Sequence, residues 1–235
     1  MTITSPHNEK LKEIRKLTQR RRGRERAGRF VAEGEDLLAA ADAAGWTPVH
    51  RLSVAGSELP GDEVEPAVLA SISGLGSGTR TLAVYEERWA PAATGPLCVY
   101  LHGVSDPGNV GAVLRSARAF GAGSVALGPG TADPYGPKAV RASMGAVFEV
   151  ALARVDDIGQ LPGTTVALSG DAPTALAELA LDEVTFLVGA ERAGLPGELV
   201  AAAGAAARIP IETHSLNAAM AATIALYEAT RMAGK

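Results

Sequence analysis

The chain of 235 residues contains one cysteine, Cys98. A lone thiol cannot close an intrachain disulfide, which excludes a disulfide-stapled secreted module and fits a reducing compartment. Its place in the apolar run Leu97-Cys98-Val99-Tyr100 reads as a buried strand residue, not a nucleophile. Aromatic residues are scarce at 4%, and the 47% of hydrophobic residues are mostly small and aliphatic. That suffices for a core in one large domain or two smaller ones. No apolar run reaches the ~18 residues of a membrane span, and the polar N-terminus lacks a signal-type apolar stretch. A cytoplasmic protein with no membrane partner is expected. The four histidines, His7, His50, His102 and His214, are too scattered for a zinc site, and no metal is expected. There is no P-loop and no Gly-x-Ser-x-Gly elbow. Gly121-Ala122-Gly123-Ser124-Val125-Ala126 fits the loose dinucleotide pattern, which requires a strand before the glycines and a helix after them. Here the order is reversed, and Gly121 reads as the residue that ends a helix.

The net charge of −4 hides an asymmetry. Residues 1–30 carry ten Lys or Arg against three Glu, a balance of +7, so the other 205 residues carry −11. Arg20-Arg21-Arg22-Gly23-Arg24, with Arg26 and Arg29 beside it, is dense for a solvated helix. Like charges so close repel unless something neutralises them, so a polyanionic partner is expected, nucleic acid first.

Residues 8–22 have helical spacing through Leu11, Ile14 and Leu17. A strand at 30–32, a helix from 33 to 44 stopped by Gly45, a strand at 49–54, a helix at 64–72 and a strand at 81–85 follow. Residues 1–89 thus form a small α/β unit, and 90–96 reads as a linker. From 97 to 235, strands at 97–101, 124–127, 165–168 and 184–188, with short ones near 147–150 and 208–209, alternate with helical patterns. Those lie at 110–120, 137–142, 174–180 and 216–231. The alternation implies βαβ units and a largely parallel sheet. Ala201 to Ala207 reads as a helix end and turn.

Three segments set polar residues at the ends of apolar runs, where α/β folds gather ligand loops. The first runs from Asp106-Pro107-Gly108-Asn109 to Arg115. Asn109 suits a plain helix cap. Arg115 stands six residues on among Ala112, Ser116 and Ala117, so both side chains can address one phosphodiester, Arg through its fork and Asn through its amide. The second, Gly189-Ala190-Glu191-Arg192-Ala193-Gly194, has glycines that admit close backbone approach to a ligand. Glu191 alone is equally a loop carboxylate. The third joins Ile209-Pro210-Ile211 to Ser215-Leu216-Asn217, where Ser215 suits a helix cap.

Taken together, the segments resemble the three motifs of the SpoU (TrmH) family of RNA ribose 2′-O-methyltransferases, within the SPOUT class. Asp106 to Gly121 resembles motif one, Val188 to Pro196 motif two, and Ile209–Ile211 with Ser215–Asn217 motif three, in the family's order and separation. Lys138 to Ala146 is similar to the segment the family places between motifs one and two. The resemblance covers about 97–231. Residues 10–36, with Arg29-Phe30 and Glu33-Gly34, are similar to the ribosomal-protein-like substrate-binding domain many members carry in front. One departure stands out. The link Ile211-Glu212-Thr213-His214 is shorter than the family's and has Glu212 and His214 in place of small residues, which bears on the pocket wall and on cofactor affinity.

The resemblance implies a parallel-sheet α/β SPOUT domain over 97–235 with a C-terminal trefoil knot, preceded by the small α/β substrate-binding domain. It implies a homodimer and S-adenosylmethionine held by Leu168, Gly170, Gly189, Ile209, Ile211 and Leu216. It assigns Arg115 to activation of the 2′-hydroxyl with a substrate phosphate. Asn109 would orient Arg115 and the ribose, Glu191 brace them, and Ser215 and Asn217 fix the third loop. Arg20, Arg21, Arg22, Arg24, Arg29 and Arg141 are the candidate RNA contacts. Ribosomal RNA ranks ahead of transfer RNA as substrate. An inactive RNA-binding or ribosome-assembly factor of the same fold is opposed by the intact Asn109, Arg115, Glu191 and Asn217. A small-molecule α/β enzyme fits the basic N-terminal segment poorly. The stripe Leu216, Met220, Ile224 and Tyr227 is expected to serve partly the knot and partly a two-fold contact.

Overall fold

The computed structural model describes residues 2–74, 78–180, 182–213, 215–232 and 234. The chain divides into two units, Met1–Glu87 with Asp133–Phe148, and Arg88–Ala132 with Glu149–Lys235.

In the first unit, Asn8 opens helix α1 (Glu9–Gln19) by accepting a hydrogen bond from the Lys10 amide at 2.9 Å. Leu11, Ile14 and Leu17 are fully buried, the face their spacing predicts. The helix expected over 8–22 breaks at Arg20, whose backbone is extended (φ −132°, ψ 121°), and resumes as α2 (Arg21–Ala27). Gly28 closes it in the left-handed conformation (φ 61°). Then come β1 (Arg29–Glu33), α3 (Glu35–Ala43), β2 (His50–Val54), β3 (Asp62–Val64), α4 (Pro66–Ala70) and β4 (Thr81–Glu86). Strand β3 escapes sequence reading because two of its three residues are exposed acids. The sheet order is β1-β4-β2-β3, parallel only between β2 and β3.

Asp133–Phe148, within the 97–235 stretch of the sequence, also belongs to this unit by its contacts. Half of the chain's few aromatics explain why. Phe30 meets Tyr135 at 4.6 Å between ring centroids, and Trp46 and Tyr85 each meet Phe148 at 5.2 Å. Trp46 Nε1 donates to the Phe148 carbonyl at 2.8 Å. These contacts hold a segment that includes the short helix Pro137–Ala142; the helix Pro107–Ala119 that precedes it is the motif-one helix. Edge and tilted ring contacts at such distances add to simple area burial.

The second unit is a six-stranded, wholly parallel sheet. In chain order its strands are β5 (Leu97–Leu101), β6 (Ser124–Leu127), β7 (Ala151–Arg154), β8 (Thr164–Leu168), β9 (Val184–Val188) and β10 (Ala205–Ala207). They lie in the order β10-β8-β9-β5-β6-β7. The chain builds outward from β5 to β7, then resumes at β8 on the other side and returns to β9 beside β5. That reversal is a switch point, where loops at strand C-termini part to leave a crevice. The strand expected near 147–150 is a 3₁₀ turn, with β7 starting at Ala151. The helix expected at 174–180 is the 3₁₀ turn Leu176–Glu178. The Ala-rich 201–207 stretch holds the end of the short helix Gly197–Ala202 and then β10, not a turn. Alanine carries no β signal, so the partner β8 decides its conformation. Gly121 follows the motif-one helix at φ 70°, as its reading as a helix terminator requires. Cys98 is fully buried in β5, and burial pushes its thiol pKa up.

The C-terminal helix Ala218–Met232 buries Ala218, Ala219, Ala222, Ala225, Leu226 and Ala229. Met220, Ile224 and Tyr227 face outward, 60%, 38% and 53% exposed. Of the expected stripe, Leu216 is half-buried and Met220, Ile224 and Tyr227 form an outer face, while the alanines and Leu226 do the packing. Among the described residues no helix is long and apolar enough to cross a membrane.

Candidate active site

Strands β5 and β9 are neighbours, with Leu101 opposite Val188, so the loops that follow them start side by side. On the first loop, Asp106 caps the motif-one helix by accepting from the Gly108 amide at 2.6 Å. The cap expected of Asn109 thus belongs to Asp106, and Asn109, one turn in, keeps its amide for other partners. On the second loop, a Cβ at Gly189 would overlap the Gly194 carbonyl carbon, so only glycine fits. Ala190 and Gly194 exchange backbone hydrogen bonds of 3.1 and 2.8 Å, with Gly194 at φ 66°. The tight turn between them carries Glu191 and the exposed Arg192.

Asn109 Nδ2 donates to Glu191 Oε1 at 2.5 Å. Its Oδ1 accepts from Asn217 Nδ2 at 2.9 Å. Asn217 Oδ1 in turn accepts from the amides of Ala219 (2.9 Å) and Met220 (3.3 Å), which caps the last helix. One chain of hydrogen bonds thus joins all three segments. The capping role suggested for Ser215 falls to Asn217, and Ser215 is exposed. Arg115 is exposed and makes no ion pair or hydrogen bond among the described residues, so the structure ties Asn109 to Glu191 and Asn217, not to Arg115. Below the loops, Tyr100 is buried with its hydroxyl 3.2 Å from His102 Nδ1. Burial first, and then Asp156, push its phenol pKa up.

The candidate cofactor residues follow β8, β9 and β10. Ser169 N donates to the Ala207 carbonyl at 3.0 Å, which sets the β8 and β10 loops together. Leu168, Gly189, Ile209 and Leu216 are half-buried, and Ile211 is 40% exposed. At Gly170 a Cβ would meet only open space. His214 lies outside the described residues, as one member of the shortened link.

The candidate RNA contacts separate. Arg24 is buried, with Nε and Nη2 each 2.8 Å from Asp133 Oδ2 and Nη1 donating to the Leu17 carbonyl at 2.7 Å. It is a structural residue, and this removes it from the set a ligand can reach. Arg21 pairs with Glu25 at 2.8 Å, Arg29 with Glu13 at 3.0 Å, and Arg141 lies 3.9 Å from Glu33. Arg20 and Arg22 are exposed without an ion-pair partner among the described residues. With Lys12, Arg15, Lys16 and Arg26 they line a groove of about 800 Å³ between α1 and α2. Lys12, Arg15 and Lys16 went unmarked in the arginine run. Their signal was helical spacing, since they repeat on the face turned away from Leu11, Ile14 and Leu17.

A parallel α/β sheet with a switch point, whose three loops are joined by Asn and Glu side chains, defines an α/β domain with a candidate ligand site at its strand C-termini. The chain belongs to the SpoU rRNA Methylase family, whose model matches residues 96–227, and the model of the MRM3-like substrate binding domain matches residues 8–86. The fold is similar to that of an AdoMet-bound rRNA methyltransferase from Sinorhizobium meliloti (TM-score 0.88, 32% identity, 98% of this chain and 97% of that one). It is also similar to the SpoU methyltransferase AviRb from Streptomyces viridochromogenes in complex with AdoMet (TM-score 0.84, 25% identity, 97% and 99%). In sequence the chain is 28% identical over 245 residues to the 23S rRNA (guanosine(2553)-2'-O)-methyltransferase RlmP of Bacillus subtilis strain 168, covering 96% of this chain and 97% of that protein. It spans about half the length of several other curated relatives that it matches at 32–33% identity.

Proposed function

We propose that this protein transfers a methyl group from S-adenosylmethionine to a ribose 2′-hydroxyl of RNA, with ribosomal RNA as the substrate. The observation that carries the reading is the hydrogen-bonded chain Glu191–Asn109–Asn217 across the three loops, with Arg115 unpaired on the same helix as Asn109. The names of AviRb and RlmP support both cofactor and substrate.

The cofactor would be held where the loops after β8, β9 and β10 gather: the half-buried Leu168, Ile209 and Leu216 and the exposed Ile211 would offer apolar surface to a flat base, and a Cβ at Gly170 would meet nothing, so the chain is not crowded there. Bound there, S-adenosylmethionine supplies an already activated sulfonium methyl. The chain must align the 2′-hydroxyl and see its proton removed. A guanidinium is a poor base, so Arg115 grips a substrate phosphate through its fork and leaves the proton to that phosphate or to water. Asn109 has used one amide hydrogen and one oxygen lone pair. It keeps one of each for the ribose. Glu191 and Asn217 hold that amide in one orientation. A 2′-hydroxyl acceptor restricts the substrate to RNA.

The reading carries a trefoil knot and a homodimer with it. For the dimer the support is the exposed row Met220, Ile224 and Tyr227, which lies on one helix face. Light scattering at micromolar protein is expected to give a dimer, and Tyr227→Glu to shift it toward monomer. For the activity, the test is label transfer from methyl-labelled cofactor into ribosomal and transfer RNA, followed by alkaline hydrolysis. A 2′-O-methyl group blocks attack on the adjacent phosphate, so label in alkali-resistant dinucleotides of ribosomal RNA is expected. Label on a base, or none, overturns the reading.

A further inference from the structure

The groove between α1 and α2 presents Lys12, Arg15 and Lys16 from one helix, Arg20 at the break, and Arg22 and Arg26 from the other. Its one carboxylate, Glu25, is engaged by Arg21. Arg15 bonds only neutral oxygens, the Pro6 carbonyl at 2.7 Å and the Ser71 hydroxyl at 3.3 Å, so its charge stays uncompensated. Lys12 pairs with Glu9 at 2.7 Å on the open surface, where such pairs hold weakly. Lys16, Arg20, Arg22 and Arg26 have no ion-pair partner among the described residues. The two helices approach closely because position 23 is glycine: a Cβ there would stand 2.7 Å from the Lys16 carbonyl oxygen. Two rows of cations are therefore held at a fixed spacing by rigid elements.

No aromatic side chain lines this groove. Phe30, Trp46, Tyr85, Tyr135 and Phe148 of the same unit are buried against one another. Single-stranded nucleic acid is usually gripped by stacking its bases on exposed aromatics, at roughly 1–3 kcal/mol per base. This groove offers charge without a stacking platform. A-form duplex RNA hides its base faces and shows phosphates at fixed intervals, and proteins read it by shape and backbone.

We propose that the α1–α2 groove binds the phosphate backbone of double-stranded RNA, so that this unit grips a helical stem of the substrate. The proposal rests on the RNA reading above and adds the form of RNA recognised. The test uses the full chain, an RNA duplex and a single-stranded oligouridine of equal length, with binding followed by fluorescence anisotropy at several salt concentrations. The duplex is expected to bind about tenfold tighter or more. Lys16→Ala, Arg22→Ala and Arg26→Ala combined should lower the log–log salt slope by about 2–3, since each phosphate contact contributes roughly 0.7–0.9. Gly23→Ala removes no charge and should still weaken duplex binding several-fold, by spreading the rows. Equal or tighter binding of oligouridine, an unchanged slope in the triple variant, or binding of neither RNA overturns the proposal. Duplex binding without methyl transfer supports it and counts against the proposed activity alone.

Discussion

In the crevice of the parallel sheet, Asn109, Glu191 and Asn217 are tied to one another by hydrogen bonds of 2.5 and 2.9 Å. On the α1–α2 pair, Lys16, Arg20, Arg22 and Arg26 are tied to no opposite charge among the described residues. The difference concerns how each region can act. Short polar side chains with mutual partners hold a geometry, and losing one leaves the others unsatisfied. Long cations without partners, spaced only by the helices that carry them, act through charge, which salt screens. Two arginines cross these lines. Arg115 stands unpaired on the helix that carries Asn109, and Arg24 is locked inside the arginine-rich pair.

Arg115 is the sharper test, because the largest effect is expected from a residue that holds nothing in place. Arg115→Ala should reduce methyl transfer by about 10³-fold, the scale of losing one well-placed group at developing charge. Arg115→Lys should fail too, since a point charge lacks the fork. Cofactor affinity, read by calorimetry, should stay within a few-fold. Turnover retained in either variant would take Arg115 out of the chemistry and leave the crevice to its neutral network.

Arg24 and Arg22 stand two residues apart in one helical turn and should behave as opposites. Arg24→Ala strips the partner from Asp133, and breaking a buried pair costs about 3 kcal/mol. For a chain of this size that is a fall in Tm of roughly 6–12 °C. Arg22→Ala, on the exposed side, should change stability by about 0.5 kcal/mol or less. Equal thermal stability of the two variants would show that the Arg24–Asp133 pair contributes nothing.

How far the sequence was legible follows the same division. The strands at 97–101, 124–127 and 184–188 match the structure to the residue, because continuous apolar runs between turns leave little choice. The chemistry-bearing segments were legible as well: Asn109, Glu191 and Asn217 converge. Their partners were not, since which amide meets which carboxylate depends on strand order. Arg24 could not be told from Arg22, because burial there comes from Asp133, more than a hundred residues away. Strand β10 was expected near 208–209 and lies at 205–207, since three alanines carry no side-chain signal. The link between residues 133–148 and the first unit rests on scattered aromatics that show no local pattern.

A smaller loss than that of Arg24 separates holding a helix from holding the site. Asn8 and Asn217 make the same local bond, each accepting an amide two residues on at 2.9 Å at the start of a helix. Asn8→Ala and Asn217→Ala should therefore cost similar stability, about 1 kcal/mol each. Asn8 has no role beyond its helix, so its loss should leave cofactor affinity unchanged. Asn217 also donates to Asn109, so its loss should weaken cofactor binding and slow transfer. Asn217→Asp divides the two roles. An aspartate still accepts from the Ala219 and Met220 amides, but it cannot donate to Asn109, and it sets a second carboxylate near Glu191. Its Tm should stay close to the unsubstituted protein while methyl transfer falls at least as far as in Asn217→Ala. If Asn217→Asp transfers methyl normally, the hydrogen bond between Asn217 and Asn109 is not needed, and Asn217 is a helix cap like Asn8.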